Sequence, residues 1–471
     1  MTDLVAQGSL DPRNFAHGVF LKRLLLITVT TLAALVLVGI LVLRLTLGAS
    51  PGALFDVAGG MAAKLGCSGR YVTGLSPEQV SADLKSYSGA YGLVDITNID
   101  SEKRVTAKLP PGSTHSATFR EGIGCTLDIG DTSALDAINV PKPTRPAKAP
   151  NSGELDALLA TQLQTDNAAG RQTRALLVMH NNQVAGEAHA SGFERDTPHL
   201  GWSMGKSLIS ILLGRLEAQG KLRVEETELF TQWSDARGKI ALEDLLHMTS
   251  GLKFAEIYAP GSDATRMLFN EYSAASVARD QPAIHTPGSH FAYSSGTTNL
   301  LSQLLFERVG GTPADAYSYL HSALLNPLGL SHTIVESDPS GVFVGSSYVY
   351  ASAHDWASLG NLLGNKGNHN GKQLLTQSWV KRATEPNNSD NEPRYGYQLW
   401  LNSGGDELRW PDLPADAYAM RGNRAQIVMV IPSRNAVFVR LGWSQGSYPA
   451  NEIFTSWLQA IDNINTPEST T

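Results

Sequence analysis

Residues 199–220, HLGWSMGKSLISILLGRLEAQG, place Ser203 and Lys206 three positions apart at the head of an apolar run. In a helix that spacing sets both side chains on one face. A serine hydroxyl is a poor nucleophile at neutral pH. An amine beside it takes its proton once burial has depressed the amine's pKa by about 3, at a cost of about 4 kcal/mol. Leu208, Ile209, Ile211, Leu212, Leu213 and Leu216 leave almost no polar face until Arg215 and Glu217, so the segment predicts a helix running through the interior. A lysine there needs a reason. Ser203 as nucleophile and Lys206 as its base supply one, and the chemistry of such a pair is the opening of an amide or ester through an acyl-serine.

The bare S-x-x-K pattern recurs at Ser250 with Lys253 and at Ser378 with Lys381, so context has to separate the three. Gly251 puts the first of these in a turn, and the second sits in a short polar stretch ending in proline. Only Ser203 opens a long apolar helix. Residues 201–205 also satisfy G-x-S-x-G, the pattern of a nucleophile elbow. An elbow, however, needs a buried apolar strand leading into the serine, and the preceding GFERDTPHL is charged and broken by proline. No glycine-rich segment upstream resembles HGGG, although histidines follow in plenty. Further on, PGSHFAYSSGTTNLLSQLL sets Tyr293 and Ser295 just before another helix. A tyrosine between a nucleophile and a departing amine can shuttle the proton, provided that nearby lysine cations lower its pKa from about 10.

GWSMGKS, LEDLLHMTSGL, FAYSSGTTNLLS, LLNPLGL, FVGSSYVYASAHDWASLG, YGYQLW and GNRAQIVMVIPSRNAVFVRLGW, in this order, resemble the β-lactamase-related serine hydrolases. That family includes class C β-lactamases, D-alanyl-D-alanine carboxypeptidases, some esterases and 6-aminohexanoate-dimer hydrolases. Over residues 155–458 the chain looks most similar to the last group. The resemblance implies an α/β (α+β) fold, an antiparallel sheet flanked by helices, with an inserted helical lobe and the site in the cleft between them. It implies that Ser203 is the acylated nucleophile, Lys206 its proton-accepting partner and Tyr293 the acid and base that serves the leaving group and then water. Ser295 takes the position of the second polar residue of the Y-x-N/S element.

The family's third element, a strand edge that often reads lysine or histidine, then threonine or another residue, then glycine, is matched here by Asn423, Arg424 and Ala425, followed by Gln426. Asn423 carries no charge, so a substrate carboxylate loses its usual cation unless Arg421 or Arg424 compensates. Ala425 has a side chain where glycine permits close backbone approach. These departures weigh against β-lactamase and carboxypeptidase activity more than against amidase or esterase activity. The implied oxyanion hole is the backbone N–H of Ser203 with that of Ala425 or Gln426. His247, Asp355 and Trp356 read as structural residues, and Trp202 as either cleft lining or packing. No histidine, cysteine and carboxylate cluster has metal spacing, so neither metal nor cofactor is expected.

The elements around this pair divide the chain. Residues 24–43, LLLITVTTLAALVLVGILVL, hold no charge and as a helix would span about 30 Å. Arg13, Lys22 and Arg23 just before them leave the N-terminus cytoplasmic, which predicts a single-pass anchor over 24–47 in the inner membrane with the body on the periplasmic side. A cleaved signal peptide is the competing reading. Outside the cytoplasm Cys67 and Cys125 are expected to be bonded, closing a loop worth about 4 kcal/mol on the chain-entropy model; two separately buried thiols are the alternative. LSPEQVSADLKSYSGAY predicts a helix, and LVDITNI, RVTAKL and SATFREGIGCTLDI predict strands, together a small α+β unit over residues 60–140. Four prolines within residues 141–150 mark a linker. Residues 151–465 then form the hydrolase unit, whose strands near both ends, RALLVMHNN with QVAGEAHA and QIVMVIP with AVFVRLGW, are expected to share one sheet.

With 37 basic against 44 acidic residues the chain lacks the electrostatic footprint of a nucleic-acid binder, and 42% hydrophobic residues suffice for a large core. The expected function is a membrane-anchored serine hydrolase of small-molecule amides or esters. The alternative is a catalytically silent binder of cell-wall fragments or β-lactams on the same fold.

Overall fold

The computed structural model describes residues 22–34, 38, 51–140 and 153–465. Residues 22–34 are helical with exposed side chains, and the rest of the expected 24–47 anchor lies outside the described residues apart from residue 38. Among the described residues no helix is long and apolar enough to cross a membrane.

The N-terminal unit opens with a helix the sequence reading did not place, Pro51–Ser68. It lies on a four-stranded antiparallel meander, β1 (Asp95–Ile99), β2 (Arg104–Lys108), β3 (His115–Arg120) and β4 (Gly124–Leu127). The stretch SATFREGIGCTLDI is therefore a hairpin rather than one strand, because Gly122 and Gly124 both take positive φ and turn the chain. The expected helix forms over Pro77–Lys85, capped by the Ser76 hydroxyl accepting from Gln79 N–H. Cys67 and Cys125 are disulfide-bonded, tying the end of the first helix to β4.

The C-terminal unit, expected to carry the hydrolase site, is built on a six-stranded antiparallel sheet. β5 (Thr173–His180) and β6 (Gln183–His189) precede two small sheets: β7 (His199–Leu200), β8 (Thr333–Val335) and β9 (Val349–Ala351) form one, and β10 (Asn368–His369) pairs with β11 (Lys372–Gln373). β12 (Trp400–Leu401), β13 (Tyr418–Gly422), β14 (Gln426–Ile431) and β15 (Ala436–Gly442) complete the main sheet in the order β12-β13-β14-β15-β5-β6, so strands from both ends of the unit pair directly. The two-residue period sends Leu177, Val428, Val430, Val437 and Val439 to one face, against the Ala353–Gly364 helix. It sends Leu176, Val178, Met429 and Phe438 to the other, against the Asp156–Ala168 and Ala450–Asn465 helices. Between β7 and β8 the chain leaves the sheet to form the helical lobe, which includes the Asp263–Phe269 and Ser295–Val309 helices.

The two units share a core. Val105, Ala117 and Leu127 of the N-terminal meander join one buried apolar cluster with Trp202, Met267, Tyr348 and Trp443 of the C-terminal unit. A buried ion pair, Lys64 with Glu336, crosses the same boundary, and Glu336 also accepts from the Ser68 hydroxyl (2.8 Å) and from Cys125 N–H (2.7 Å). Asp83 pairs with Arg174 of β5.

Candidate active site

Ser203 sits in the single turn Trp202–Met204, between the two-residue strand β7 and the Gly205–Ala218 helix. This is not an elbow at the end of a central strand. The glycines that imitate an elbow serve packing: a Cβ on Gly201 would strike the buried Trp356 ring, and one on Gly205 would come 2.6 Å from the Gly345 carbonyl. Trp356 and Asp355 are structural, Asp355 accepting from His332 N–H (2.8 Å) and the Thr333 hydroxyl (2.9 Å). His247 packs edge-on to Tyr397 and contacts the Tyr395 carbonyl at 3.2 Å.

Lys206 is buried, and its Nζ lies 3.1 Å from Ser203 Oγ, 2.9 Å from Ser295 Oγ and 3.0 Å from the Ser346 carbonyl. Three acceptors match the three protons of an ammonium. In the free amine one of the three contacts must reverse, and only Ser203 has a proton to give. The carbonyl has none, and the Ser295 hydroxyl already donates to Glu256 Oε1 at 2.6 Å. The surroundings thus aim the amine lone pair at the Ser203 hydroxyl. Burial brings the Lys206 pKa down to about 8, and the charge of Glu256 opposes that fall.

Glu256 was not found from sequence. It lies in the loop before the Asp263–Phe269 helix, where FAEIYAPGSD carries no periodic signal. Its Oε2 accepts from Ser295 N–H (2.7 Å) and its Oε1 from the Tyr258 hydroxyl (2.8 Å), so it fixes the start of the Ser295–Val309 helix and the rotamer of Ser295 together.

Tyr293 stacks on Trp400 (5.2 Å between ring centroids), with Lys206 Nζ 5.0 Å from the centre of its ring and the Ser203 hydroxyl beside its phenol. The expectation that neighbouring cations depress this tyrosine is corrected. Burial dominates and pushes its pKa well above the usual phenol range, against the smaller opposing effects of Ser203 and Arg421. Tyr293 therefore rests as a protonated phenol, a donor before it is an acceptor.

The third element is a tight turn after β13. Arg424 and Ala425 both take positive φ, 60° and 61°. The Asn423 side chain is spent on this turn, its Oδ1 accepting from Arg424 N–H at 2.8 Å. The Gln426 side chain is spent on β15, donating to the Gly442 carbonyl and accepting from Gly442 N–H (3.0 Å). Of the two arginines considered as substitutes for the missing cation, Arg424 turns away, its guanidinium 3.7 Å from the Tyr87 ring centre. Arg421 stays near the site, 5.9 Å from the Trp400 ring centre, with its charge felt by Tyr293. Trp202 packs between Tyr87, Tyr348 and Trp443 and does not line the cleft as an exposed ring.

Arg440 was also missed, although an arginine inside AVFVRLG was the available signal. Fully buried in β15, it donates to the carbonyls of Arg424 (3.0 Å) and Ala425 (2.9 Å). In a trans peptide the N–H points opposite the C=O. Arg440 therefore turns the N–H groups of Ala425 and Gln426 to the other side of the turn. Among the described residues no three histidine, cysteine or carboxylate side chains are grouped to hold a metal ion.

The sequence profile of the family described as Beta-lactamase matches residues 155–455. Among solved structures, a putative 6-aminohexanoate-dimer hydrolase from Bacillus anthracis is similar at 18% identity and a TM-score of 0.55, over 64% of this chain and 83% of that one. A putative beta-lactamase from Bacteroides dorei is similar at 16% identity and a TM-score of 0.53, over 65% and 100%. A penicillin binding protein from Bacillus halodurans follows at 17% and 0.50, over 64% and 99%. At such identities these likenesses establish the fold.

Proposed function

This chain belongs to the β-lactamase family, and on that premise we propose that it is a serine hydrolase opening an amide or ester through an acyl intermediate on Ser203, without a cofactor. The observation that carries the proposal is the buried amine of Lys206, whose partners leave Ser203 as its one source of a proton. The free amine takes the Ser203 proton as Oγ bonds to the substrate carbonyl carbon. The resulting oxyanion lies against the N–H of Ser203 and that of Ala425 or Gln426, each worth a few kcal/mol. Tyr293 gives its phenolic proton to the leaving nitrogen or oxygen as that bond breaks, and the Lys206 ammonium restores it. Water then attacks the acyl carbon, passing its proton to the Lys206/Tyr293 pair, and Ser203 leaves with a proton.

Arg421 is the cation beside Tyr293, which favours substrates with an anionic group on the leaving side. Short linear amides are the first class to test, given the likeness to a putative 6-aminohexanoate-dimer hydrolase. The charge-free run of residues 24–43 and the disulfide support placement of the hydrolase unit outside the cytoplasm on a membrane anchor. The test is stopped-flow hydrolysis of p-nitrophenyl acetate, then of short amides and a chromogenic β-lactam. A burst followed by steady turnover, both lost in Ser203→Ala, is expected. A burst with no turnover would instead identify a silent binder.

The pH profile should rise through a limb near 8 as Lys206 loses its proton, since the reaction needs the free amine. Glu256→Gln removes the charge that supports the ammonium, so the limb should move to lower pH. The lost clamp on Ser295 should lower the plateau by about tenfold. The measurement is kcat/KM for p-nitrophenyl acetate against pH, and a limb left in place would assign it to another group.

A further inference from the structure

Both backbone segments assigned to the oxyanion hole are held in a conformation that L-residues resist. Trp202, just before Ser203, has φ 49°, and Arg424 and Ala425 have φ 60° and 61°. Each such residue costs about 1–2 kcal/mol and persists only where its surroundings over-determine it. Arg440 braces one segment from inside the hydrolase unit. The side chains of Trp202 and Arg424, however, both reach across the boundary to the N-terminal unit and meet there on one ring.

That ring is Tyr87, two residues beyond the Pro77–Lys85 helix. The Arg424 guanidinium lies 3.7 Å from its centre, and Trp202 meets it edge-on at 6.3 Å between centroids. Trp443 closes the group, edge-on to Tyr87 at 5.8 Å. Trp443 is in turn fixed by the N-terminal unit, its Nε1 donating to the Asp83 carbonyl and the Ser86 hydroxyl, both at 3.1 Å. Asp83 is anchored by Arg174. One aromatic side chain of the N-terminal unit is thus wedged between the two residues that flank the oxyanion donors, among side chains that are themselves immobilised.

We propose that Tyr87 is a positioning residue for the oxyanion hole, so that the hydrolase unit is catalytically complete only with the N-terminal unit docked on it. This rests on the acyl-serine reading of the site. Neither Tyr87 nor its unit needs to touch substrate; what it fixes is the pair of strained turns. Its loss should therefore fall on the transition state rather than on substrate binding. The contact runs through the ring face, so phenylalanine should serve as well.

The experiment compares full-length wild type with Tyr87→Ala, Tyr87→Phe, Arg424→Met, the Tyr87→Ala/Arg424→Met double variant and Tyr71→Ala. Tyr71 packs at a tilt against Phe119 within the same unit, and its hydroxyl donates to Asp100 (2.7 Å). Steady-state kinetics with p-nitrophenyl acetate and the rate of labelling by a fluorophosphonate are read on each. Tyr87→Ala should lose at least about tenfold in kcat and in labelling rate with KM within about threefold, and Tyr87→Phe should stay within about twofold of wild type. Arg424→Met should lose kcat as well, and the double variant should be no worse than the worse single one, because both remove the same contact. Tyr71→Ala should keep its kcat. Wild-type kcat in Tyr87→Ala, an equal loss in Tyr71→Ala, or additive losses in the double variant would overturn the proposal while leaving the hydrolase reading intact. A wild type inert to both probes would overturn the hydrolase reading, and this inference with it.

Discussion

Replacing Lys206 with methionine is expected to slow acylation of Ser203 by about 10³- to 10⁴-fold while the protein stays folded. Methionine is a flexible apolar side chain of comparable length and suits a site enclosed by the interior helices. The change takes a donor from the Ser346 carbonyl and the Ser295 hydroxyl, at a cost of about 1–3 kcal/mol each. What disappears is the one group able to take the Ser203 proton at neutral pH. Tyr293 cannot substitute, since burial holds it protonated, well above the ordinary phenol range. With Lys206 gone, the limb near pH 8 should vanish from the profile. Single-turnover kinetics with p-nitrophenyl acetate over a pH series read both effects. A variant that keeps the limb and most of the rate would remove Lys206 from the mechanism.

Arg440→Leu is expected to cost about 3–5 kcal/mol of stability, and about 10²-fold in kcat for whatever fraction remains folded. Besides the carbonyls of Arg424 and Ala425, the guanidinium donates to the Arg171 carbonyl (2.9 Å), the Thr173 hydroxyl (2.8 Å) and the Ser444 hydroxyl (2.6 Å), and it lies 4.8 Å from the Tyr448 ring centre. Leucine takes a donor from each of those acceptors, and only two keep another, the Arg424 carbonyl from Ser444 N–H (3.3 Å) and Gln426 Nε2 (3.4 Å) and the Arg171 carbonyl from the Ser444 hydroxyl. The catalytic loss has a separate cause: the turn at Arg424 and Ala425 no longer has its carbonyls pinned, so the opposed N–H groups lose their aim. Arg440→Lys should recover part of the stability and part of the rate, because Nη1 alone holds both carbonyls and one ammonium can take its place, whereas the oxygens of Arg171, Thr173 and Ser444 that Nη2 serves would lose their donor. Urea unfolding and kcat on the same preparations check both. Wild-type kcat in folded Arg440→Leu would show that the turn stands without this residue.

What sequence could disclose of this site followed the reach of its signals. Ser203 and Lys206 were legible as a pair because both lie within one helical turn and the apolar run behind them predicted burial. β14 and β15 were legible as buried strands because nearly every residue in them is apolar. Glu256, Ser346 and Arg440 belong to different segments, and only the folded chain brings them to Lys206 or to the turn at Ala425. The lone arginine in AVFVRLG was a visible anomaly, but nothing in the sequence named its partners. Residues 201–205 carry an elbow's spacing for another reason: Trp356 and the Gly345 carbonyl crowd Gly201 and Gly205, a packing requirement that periodicity cannot express. The hairpin within residues 115–127 reads in sequence as one strand because its turn, EGIG, is short and contains a buried isoleucine. The packing of the N-terminal unit behind the turn at Arg424 and Ala425 was not legible at all, since Tyr87 sits in the polar stretch SYSGAY and has no pattern to mark it.

The central claim is that Ser203 is a nucleophile activated by its surroundings. Intact-protein mass of the full-length chain after exposure to a fluorophosphonate, beside Ser203→Ala treated in the same way, tests it most directly. A single adduct on the wild type that is absent from Ser203→Ala is the expected result. No adduct on the folded wild type, or an adduct that survives Ser203→Ala, would contradict it.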